Sequence, residues 1–175
     1  FCLSRGLGDV YKRQLEIVHP EIAAKLTHVS HGMMKLPEGK MSSRTGNVIT
    51  GESLINDLAE VAKERAAESR ADDKEKLAQD IAVGAIKFQI LKGGTGKDII
   101  FERERALSVE GDSGPYLQYT HARTHAIVEK AKDSGVEMAF DPAASAPELA
   151  RLIFRFYDVV KRSRTELEPH HVTNY

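Results

Sequence analysis

The 175-residue chain carries 25 lysines and arginines against 26 aspartates and glutamates, so its net charge is −1. A chain this close to neutral has no global attraction to nucleic acid, and any RNA affinity must come from a local patch. Its single cysteine, Cys2, excludes an internal disulfide bond and a cysteine-based metal site. No apolar run long enough to span a membrane occurs, and we expect a cytoplasmic protein without a membrane partner.

The two ends of the chain do not resemble natural termini. Residues 1–14, FCLSRGLGDVYKRQ, show neither helical nor strand periodicity and lack the continuous apolar core of a signal peptide. We interpret them as a leader foreign to the rest of the chain, translated from a cloning or sequencing adaptor, disordered and packed against nothing. The other end, HHVTNY, carries no helix-termination signal, so we expect the chain to be a fragment.

The first half of the chain reads as short elements followed by a longer helix. Residues 15–26 predict a helix restarted at Pro20, because proline is tolerated in a first helical turn. Imperfect alternation over residues 27–36 predicts that part of this segment is a strand. Thr50 is a good N-cap for a helix to about residue 69, whose apolar face is formed by Leu54, Ile55, Leu58, Val61 and Ala62.

The second half is predicted to be helical apart from one strand. A helix over residues 73–92 is apolar on more than one face. The GGTGK segment after it, residues 93–97, departs from a phosphate-binding loop because aspartate follows the lysine and a helix precedes the glycines. We interpret it as a flexible connector. A strand is expected at residues 98–101, a helix from Pro115 to about residue 132, and a last helix from Pro147.

One short string has the composition of a loop that closes over phosphates. Lys40, Met41, Ser42, Ser43 and Arg44 stand between two glycines, Gly39 and Gly46. Lysine supplies a compact positive charge, serines supply hydrogen-bond donors, and glycines permit close approach of the backbone. On these five residues alone, a charged surface turn is an equally good interpretation.

The wider string HVSHGMMKLPEGKMSSRTGNVIT, residues 28–50, resembles the KMSKS signature loop of class I aminoacyl-tRNA synthetases, and of the arginyl-tRNA synthetases most of all. The resemblance implies a nucleotide-binding site with ATP as substrate, accompanied by Mg2+. It assigns catalysis to Lys40, Ser42, Ser43 and Arg44, and ATP binding to Gly39, Lys40, Met41, His31 and Met33. Met33 and Met34 as simple core fillers are the alternative.

One position departs from the motif. Ser43 stands where the motif has its second lysine, which is usually the main pyrophosphate contact, and Arg44 stands at its final serine. Many arginyl enzymes resemble this chain in lacking that lysine. We expect Arg44 or Lys35 to supply the missing positive charge, although Arg44 as a solvated surface residue is an alternative.

Histidines precede the loop, but they make a poor metal site. His28 and His31 are three residues apart, and no third ligand lies in reach along the sequence. We therefore expect no protein metal site in this chain. Packing near the nucleotide or exposure to solvent accounts for both imidazoles.

A second string, GDSGPYLQYTHAR, spans residues 111–123. On a helix from Pro115, Tyr116, Tyr119 and Arg123 share one face, where rings and a guanidinium suit the stacking of unpaired RNA bases. An ordinary contact between helices is the alternative. The string resembles the opening of the anticodon-binding domain of arginyl-tRNA synthetases. That resemblance implies tRNA binding by Tyr116, Tyr119, Arg123, Gly111 and Asp112, with residues 111–114 as a flexible rim.

The last predicted helix is rich in positive charge. It sets five basic residues against Asp158, and the surplus could meet phosphates, although a solvated helix face is the alternative. The basic residues are Arg151, Arg155, Lys161, Arg162 and Arg164.

The resemblance covers residues 15–175 and implies a fold class of α/β giving way to all-α. Residues 15–50 would end a class I nucleotide-binding (Rossmann-like) catalytic domain, residues 51–110 would form a helical connector, and residues 111–175 an incomplete anticodon-binding bundle. The HIGH motif that binds ATP and the arginine pocket are not in this sequence.

The implied function is that of an arginine–tRNA ligase fragment. The full enzyme would form arginyl-adenylate from arginine and ATP and transfer arginine to tRNA(Arg), and we expect a monomer whose fragment alone is inactive. Two alternatives remain from the sequence. One is a stand-alone helical tRNA- or RNA-binding module, and the other is a different class I ligase such as a cysteinyl-type enzyme. A HIGH-like motif upstream would favour an enzyme.

Overall fold

The computed structural model describes residues 4–37, 50–67, 69, 71–136 and 148–175, with only the backbone described at residues 4–7 and 65. No helix in these ranges is long and apolar enough to cross a membrane. The elements in chain order are α1 (Ser4–Val18), α2 (Pro20–Ala23), β1 (Met34–Lys35), α3 (Gly51–Ala67), α4 (Lys74–Leu91), β2 (Ile99–Ile100), α5 (Arg103–Ala106), α6 (Gly114–Asp133), α7 (Glu148–Glu166) and α8 (His170–Asn174). The fold class expected from the sequence is confirmed: a small sheet gives way to helices.

Helix α1 corrects the prediction for the start of the chain. Residues 4–14 are helical rather than irregular, and their apolar residues do recur at spacings of three and four along the sequence. The helix also has a neighbour, because Asp9 Oδ1 lies 3.0 Å from His28 Nδ1 and Gly8 leaves no room for a Cβ beside the His28 ring. The expectation that this segment packs against nothing is therefore wrong. The proposed division of the chain at residue 14 stays a prediction.

Two short strands join distant parts of the sequence. β1 and β2 are parallel, with Met34 opposite Ile99 and Lys35 opposite Ile100. The amide of Ile99 donates to the carbonyl of Met33 at 2.8 Å, and the amide of Phe101 donates to the carbonyl of Lys35 at 2.8 Å. The predicted strands within residues 27–36 and 98–101 are confirmed. Phe101 is fully buried and anchors this sheet to the core.

Helices α3 and α4 form a hairpin whose interface is lined with small residues. Thr50 caps α3 as predicted, accepting at Oγ1 from the amide of Ser53 at 3.0 Å, and Asp73 caps α4 by accepting from Lys76 at 2.9 Å. Alanine side chains let the two backbones approach closely. The buried alanines of this hairpin are Ala59, Ala62, Ala66, Ala78, Ala82 and Ala85.

The predicted apolar face of α3 is shifted in the structure. Leu54, Leu58 and Ala62 are buried as expected, but Val61 is 52% exposed. The buried stripe is centred on the line through Leu58, Ala62 and Ala66, and Val61 lies at its edge. Leu58 and its neighbours pack with Phe101 and Leu107 in one core, which places the strand pair directly on the hairpin.

Helix α6 crosses α4 at a contact between two glycines. A Cβ added at Gly114 would collide with the carbonyl oxygen of Gly84, so both backbones touch here. Gln118 Nε2 donates to the Asp80 carbonyl at 3.1 Å beside this contact. The N-cap is Ser113, which accepts from the amide of Tyr116 at 3.1 Å. The helix predicted from Pro115 is confirmed and begins one residue earlier.

Helix α7 presents an exposed apolar stripe. The predicted residues do share a face, but none of them is buried among the described residues. The helix packs on α8, where the ring of Tyr175 lies 6.1 Å from that of Phe156. The exposed members of the stripe are Leu149, Leu152, Ile153, Phe156 and Val160.

The GGTGK segment is tied down, which corrects the expectation of a flexible connector. The amide of Thr95 donates to Glu168 Oε2 at 2.8 Å and its hydroxyl donates to Glu168 Oε1 at 2.6 Å. These two bonds, with a further one from His170, lower the pKa of the Glu168 carboxyl from 4.5 to about 2. A carboxylate of the chain itself thus occupies the donors that a phosphate would have needed.

This low pKa makes the contribution of Glu168 to stability depend on pH. The charged form is the one that Thr95 binds, so the stabilisation is fully present above the unfolded pKa of 4.5 and is lost as pH falls toward about 2. We expect the difference in free energy of unfolding between wild type and Glu168→Gln to be fully present at pH 5 and to shrink as pH falls below 4.5. Urea unfolding of both proteins from pH 7 to 2.5 measures it. A difference that stays constant down to pH 2.5 would contradict the assignment.

Candidate functional site

The residues of the predicted loop lie outside the described part of the chain. Gly39, Lys40, Met41, Ser42, Ser43 and Arg44 all fall within residues 38–49. The structure gives the two anchors of this segment. On one side β1 ends at Lys35, and on the other Thr50 caps α3. The catalytic and ATP-binding roles of the loop residues therefore remain predictions.

The strand that leads into this segment is fixed by one carboxylate. Lys35 Nζ lies 2.6 Å from Asp98 Oδ2, and the amide of Met33 donates to Asp98 Oδ1 at 3.0 Å. Lys35 is therefore held against β2 by this pair. The expectation that Arg44 or Lys35 replaces the missing lysine of the motif stays a prediction. Sequence reasoning missed Asp98 because its partners are more than 60 residues away along the chain.

The two histidines before β1 do not converge. His28 Nδ1 faces Asp9, whereas the exposed ring of His31 contacts its neighbour, with Nδ1 3.1 Å from the Gly32 carbonyl oxygen. Within the described ranges no group of three or more His, Cys, Asp or Glu side chains could hold a metal ion. The contact of His28 is with a carboxylate of α1, whereas that of His31 is with a backbone carbonyl beside it.

The two methionines differ in environment. Met34 packs against the core cluster of α3 and α4, which supports the core-filling interpretation for this residue. Met33 is half-buried, and its backbone bonds to Asp98 and Ile99 on both sides. Met34 also lines a mainly apolar cavity of about 180 Å³, together with Leu36 after β1 and with Thr50 and Gly51 at the start of α3.

Helix α6 presents the predicted tyrosine–arginine face to the outside. Tyr116 is 40% exposed and Tyr119 is 51% exposed, so neither ring is buried against another described helix. Arg123 Nη1 donates to Tyr119 Oη at 3.3 Å. The shared face is confirmed, and the guanidinium lies beside a phenol with both groups accessible. This arrangement can stack on bases and bond a phosphate at one place.

The loop before α6 is exposed at residues 111–112 and buried at residues 113–114. Gly111 adopts a φ of 74°, a conformation that favours glycine, and Asp112 Oδ2 lies 2.9 Å from Lys92 Nζ at the end of α4. Ser113 and Gly114 are buried. The prediction that residues 111–114 form a flexible rim is therefore wrong for the last two, because the N-cap and the Gly84 contact hold them.

The positive charge of α7 is smaller than the sequence tally implied. The helix also contains Glu148 and Glu166, so five basic residues face three acidic ones. Arg162 Nε lies 2.9 Å from Glu166 Oε1. The ion pair neutralises one of the five basic residues within the helix itself, and contact of the others with phosphates stays a prediction.

Comparison with known proteins assigns both halves of the chain. The family model described as tRNA synthetases class I (R), catalytic domain, matches residues 10–103, which is more than half of the chain. The family model of the DALR anticodon binding domain matches residues 117–175. The chain belongs to the class I arginyl-tRNA synthetases. The match to a catalytic domain argues against a stand-alone RNA-binding module.

Individual arginyl-tRNA synthetases align over most of the chain. The arginine–tRNA ligase of Borrelia hermsii is 38% identical over 157 residues, covering 86% of this chain and 27% of the relative. That of Clostridium botulinum is 34% identical over 165 residues, covering 92% and 29%. The structure of Thermus thermophilus arginyl-tRNA synthetase matches with a TM-score of 0.78 at 30% identity, covering 94% of this chain and 28% of that one. The chain thus spans less than a third of the length of these relatives.

Proposed function

We propose that this chain is part of an arginine–tRNA ligase, which activates arginine with ATP as arginyl-adenylate and transfers it to tRNA(Arg). One observation carries the proposal. A single chain joins the end of an arginine-class catalytic domain to a DALR anticodon-binding domain. A cysteinyl-type ligase would not be expected to match the (R) catalytic family over 94 residues, from 10 to 103. We propose that the enzyme acts in the cytoplasm and as a monomer.

The proposed chemistry needs cations where charge develops. The arginine carboxylate attacks the α-phosphorus of ATP in line, and negative charge grows on the departing pyrophosphate. We assign stabilisation of that charge to the ammonium of Lys40 and the hydroxyl of Ser42. Arg44 supplies the bidentate contact that Ser43 cannot make. Gly39, Met41, His31 and Met33 complete the proposed ATP contacts.

Mg2+ is expected to accompany ATP rather than to be held by this chain. The described residues offer no cluster of carboxylates, imidazoles or thiols suited to a metal ion, so they do not fit a protein-held magnesium site. We therefore assign no step to a metal bound by them. The charge on the nucleotide phosphates is where such an ion would be held.

Recognition of tRNA(Arg) is proposed for the outer face of α6. The exposed rings of Tyr116 and Tyr119 would stack on unpaired bases of the anticodon loop, and Arg123 would add a cation–π or phosphate contact. Gly111 and Asp112 lie at the N-terminal end of the same helix and would border the loop. The exposure of both rings supports this proposal over packing between helices.

The direct test is ATP–pyrophosphate exchange by the complete protein that contains this chain. We expect exchange that requires arginine and bound tRNA together. The 175-residue chain itself is the control, and we expect it to be inactive. Exchange that responds to cysteine instead, or binding of tRNA without any exchange in the complete protein, would overturn the proposed function.

The tRNA-binding face can be tested separately on the same protein. Tyr116→Ala and Tyr119→Ala should each weaken tRNA binding by about 1–3 kcal/mol, the usual value of stacking a base on an aromatic ring. Affinities for ATP and arginine should change little. Tyr116→Phe is the matched control, because it keeps the ring and should recover most of the affinity. Filter binding or fluorescence titration with tRNA(Arg) measures the effect.

The competing interpretation makes a different pair of predictions. If the rings only support the fold, alanine should lower the melting temperature, and a stable variant should bind tRNA normally. Since both rings are 40% or more exposed, we expect melting temperatures close to wild type. Normal tRNA affinity in both alanine variants would contradict the proposal that this face binds tRNA.

A further inference from the structure

The GGTGK turn is held by a residue from the opposite end of the chain. Glu168 accepts from the amide of Thr95 at 2.8 Å and from its hydroxyl at 2.6 Å, a two-point contact across 73 residues of sequence. His170 Nδ1 lies 2.8 Å from Glu168 Oε2 on the other side. Both carboxylate oxygens are therefore engaged, and both bonds to Thr95 involve a charged acceptor, the stronger kind of hydrogen bond.

The turn that Glu168 grips is itself packed on the strand pair. Gly96 has a φ of 79°, and its neighbour Lys97 brings its carbonyl oxygen so close to Gly32 that no Cβ would fit there. The next residue, Asp98, holds both Met33 and Lys35. Thr95 is thus three residues from the carboxylate that fixes β1, with a tight backbone contact in between.

The backbone that presents Glu168 is also fixed. Its amide donates to the Ser163 carbonyl at 3.0 Å, and Ser163 Oγ donates to the Glu168 carbonyl at 3.0 Å. Leu167, just before it, has a φ of 55°, the left-handed conformation that is unfavourable for a residue with a Cβ. A leucine kept in this conformation indicates that the surrounding contacts determine the direction in which the chain leaves α7.

We propose that Glu168 is a positioning residue that couples the α7–α8 segment of the DALR domain to the β1–β2 strand pair. The strand β1 ends two residues before Pro37, the last described residue before the predicted catalytic loop. The consequence for catalysis rests on the proposed function, whereas the coupling itself does not. Displacement of α7–α8 would move Thr95 and so disturb the contact between Asp98 and Lys35. Release of Thr95 would loosen the strand pair.

Hydrogen exchange on the 175-residue chain tests the coupling without any activity. Glu168→Ala removes both bonds to Thr95. We expect the amides of Ile99 and Phe101 to exchange at least about tenfold faster in this variant, because loss of even one hydrogen bond to a charged group gives about that factor. Glu166→Ala is the matched control. It removes the same charge two residues away, but its partners are Arg162 and His171 within the same segment. Exchange at Ile99 and Phe101 should stay at the wild-type rate in this control.

Unfolding of the chain in Glu168→Ala would show as loss of amide protection throughout α3 and α4. Two variants of Thr95 test the coupling even in that case. Thr95→Val removes only the hydroxyl bond at nearly constant shape, and Thr95→Ser retains both bonds. We expect Ile99 and Phe101 to exchange faster than wild type in Thr95→Val and at the wild-type rate in Thr95→Ser. Wild-type exchange in Thr95→Val, or in a folded Glu168→Ala, overturns the proposal.

The catalytic consequence is read in the complete enzyme. Glu168→Ala should lower kcat for adenylate formation and leave the KM for ATP within about twofold, because a change transmitted to the catalytic loop would act on the chemical step more than on ATP binding. A purely structural role would lower the amount of folded enzyme but leave the kcat of the folded fraction unchanged. Thr95→Ser should retain the wild-type kcat. An unchanged kcat in Glu168→Ala overturns the link to catalysis. Absence of exchange activity in the wild type would instead count against the proposed function, while the hydrogen-exchange result would still decide the coupling.

Discussion

Replacing Lys40 with alanine in the complete enzyme is expected to lower kcat for adenylate formation by about 10²–10³-fold, or roughly 2.7–4 kcal/mol, the usual loss for one donor aimed at developing charge. The ammonium of Lys40 is proposed to strengthen its contact as pyrophosphate departs. The substitution should therefore change the affinity for ATP much less than kcat. ATP–pyrophosphate exchange with saturating arginine and tRNA measures the effect.

The matched control is Lys25→Ala. It removes one positive charge from an exposed lysine just after α2, and it should leave the exchange rate unchanged. Arg44→Lys gives a graded comparison, since it keeps the charge but loses bidentate geometry. An exchange rate for Lys40→Ala equal to wild type would eliminate the assignment of this lysine to the pyrophosphate.

Gly114→Ala is the second variant with a large expected effect. Intrinsic helix propensity alone would favour alanine over glycine by about 1 kcal/mol. The structure predicts the opposite effect on stability, because the new Cβ would collide with the Gly84 carbonyl oxygen. A backbone atom cannot relieve such a collision by changing rotamer, as a side chain could. We expect destabilisation of about 3 kcal/mol, at the upper end of overpacking effects, with α6 displaced from α4.

The control for this variant is Gly93→Ala, where an added Cβ meets nothing within 4 Å. It should leave the melting temperature near wild type. Because α6 carries Tyr116 and Tyr119, displacement in Gly114→Ala should also weaken tRNA binding in protein that remains folded. An unchanged or raised melting temperature for Gly114→Ala would show that the crossing is looser than described.

Features that depend on neighbours in sequence were predictable. Thr50 and Pro115 mark the starts of α3 and α6, because capping and the fixed φ of proline act within one turn. The exposed face of Tyr116, Tyr119 and Arg123 follows from helical spacing alone. The resemblance of residues 28–50 to a signature loop added function, since residue types at fixed spacing carry chemistry that periodicity does not.

Features that depend on distant contacts were not predictable. The contact of Glu168 with Thr95 spans 73 residues, and that of Lys35 with Asp98 spans 63. Nothing local distinguishes these carboxylates from solvated ones. The GGTGK segment, residues 93–97, looks flexible from the sequence because the residue that holds it, Glu168, is distant along the chain.

Errors at Val61 and at the start of the chain have different causes. Hydrophobic periodicity places Val61 in the core, but α4 approaches α3 along a line of alanines, whose low hydrophobicity gives them little weight in such a pattern. At the start of the chain the periodicity is too short to stand out, because only Leu7, Val10 and Tyr11 carry it within residues 4–14. These apolar residues recur at three and four, and the structure shows a helix there.

Aminoacylation tests most directly the proposal that this chain belongs to an enzyme that esterifies tRNA with arginine. The complete protein would be incubated with ATP, tRNA and each radiolabelled amino acid in turn, and acid-precipitable label would be counted. The expected result is ATP-dependent charging with arginine and with no other amino acid, abolished by Lys40→Ala to about 1% or less, in line with loss of a catalytic donor. Charging with cysteine, or firm tRNA binding with no charging by any amino acid, would contradict it.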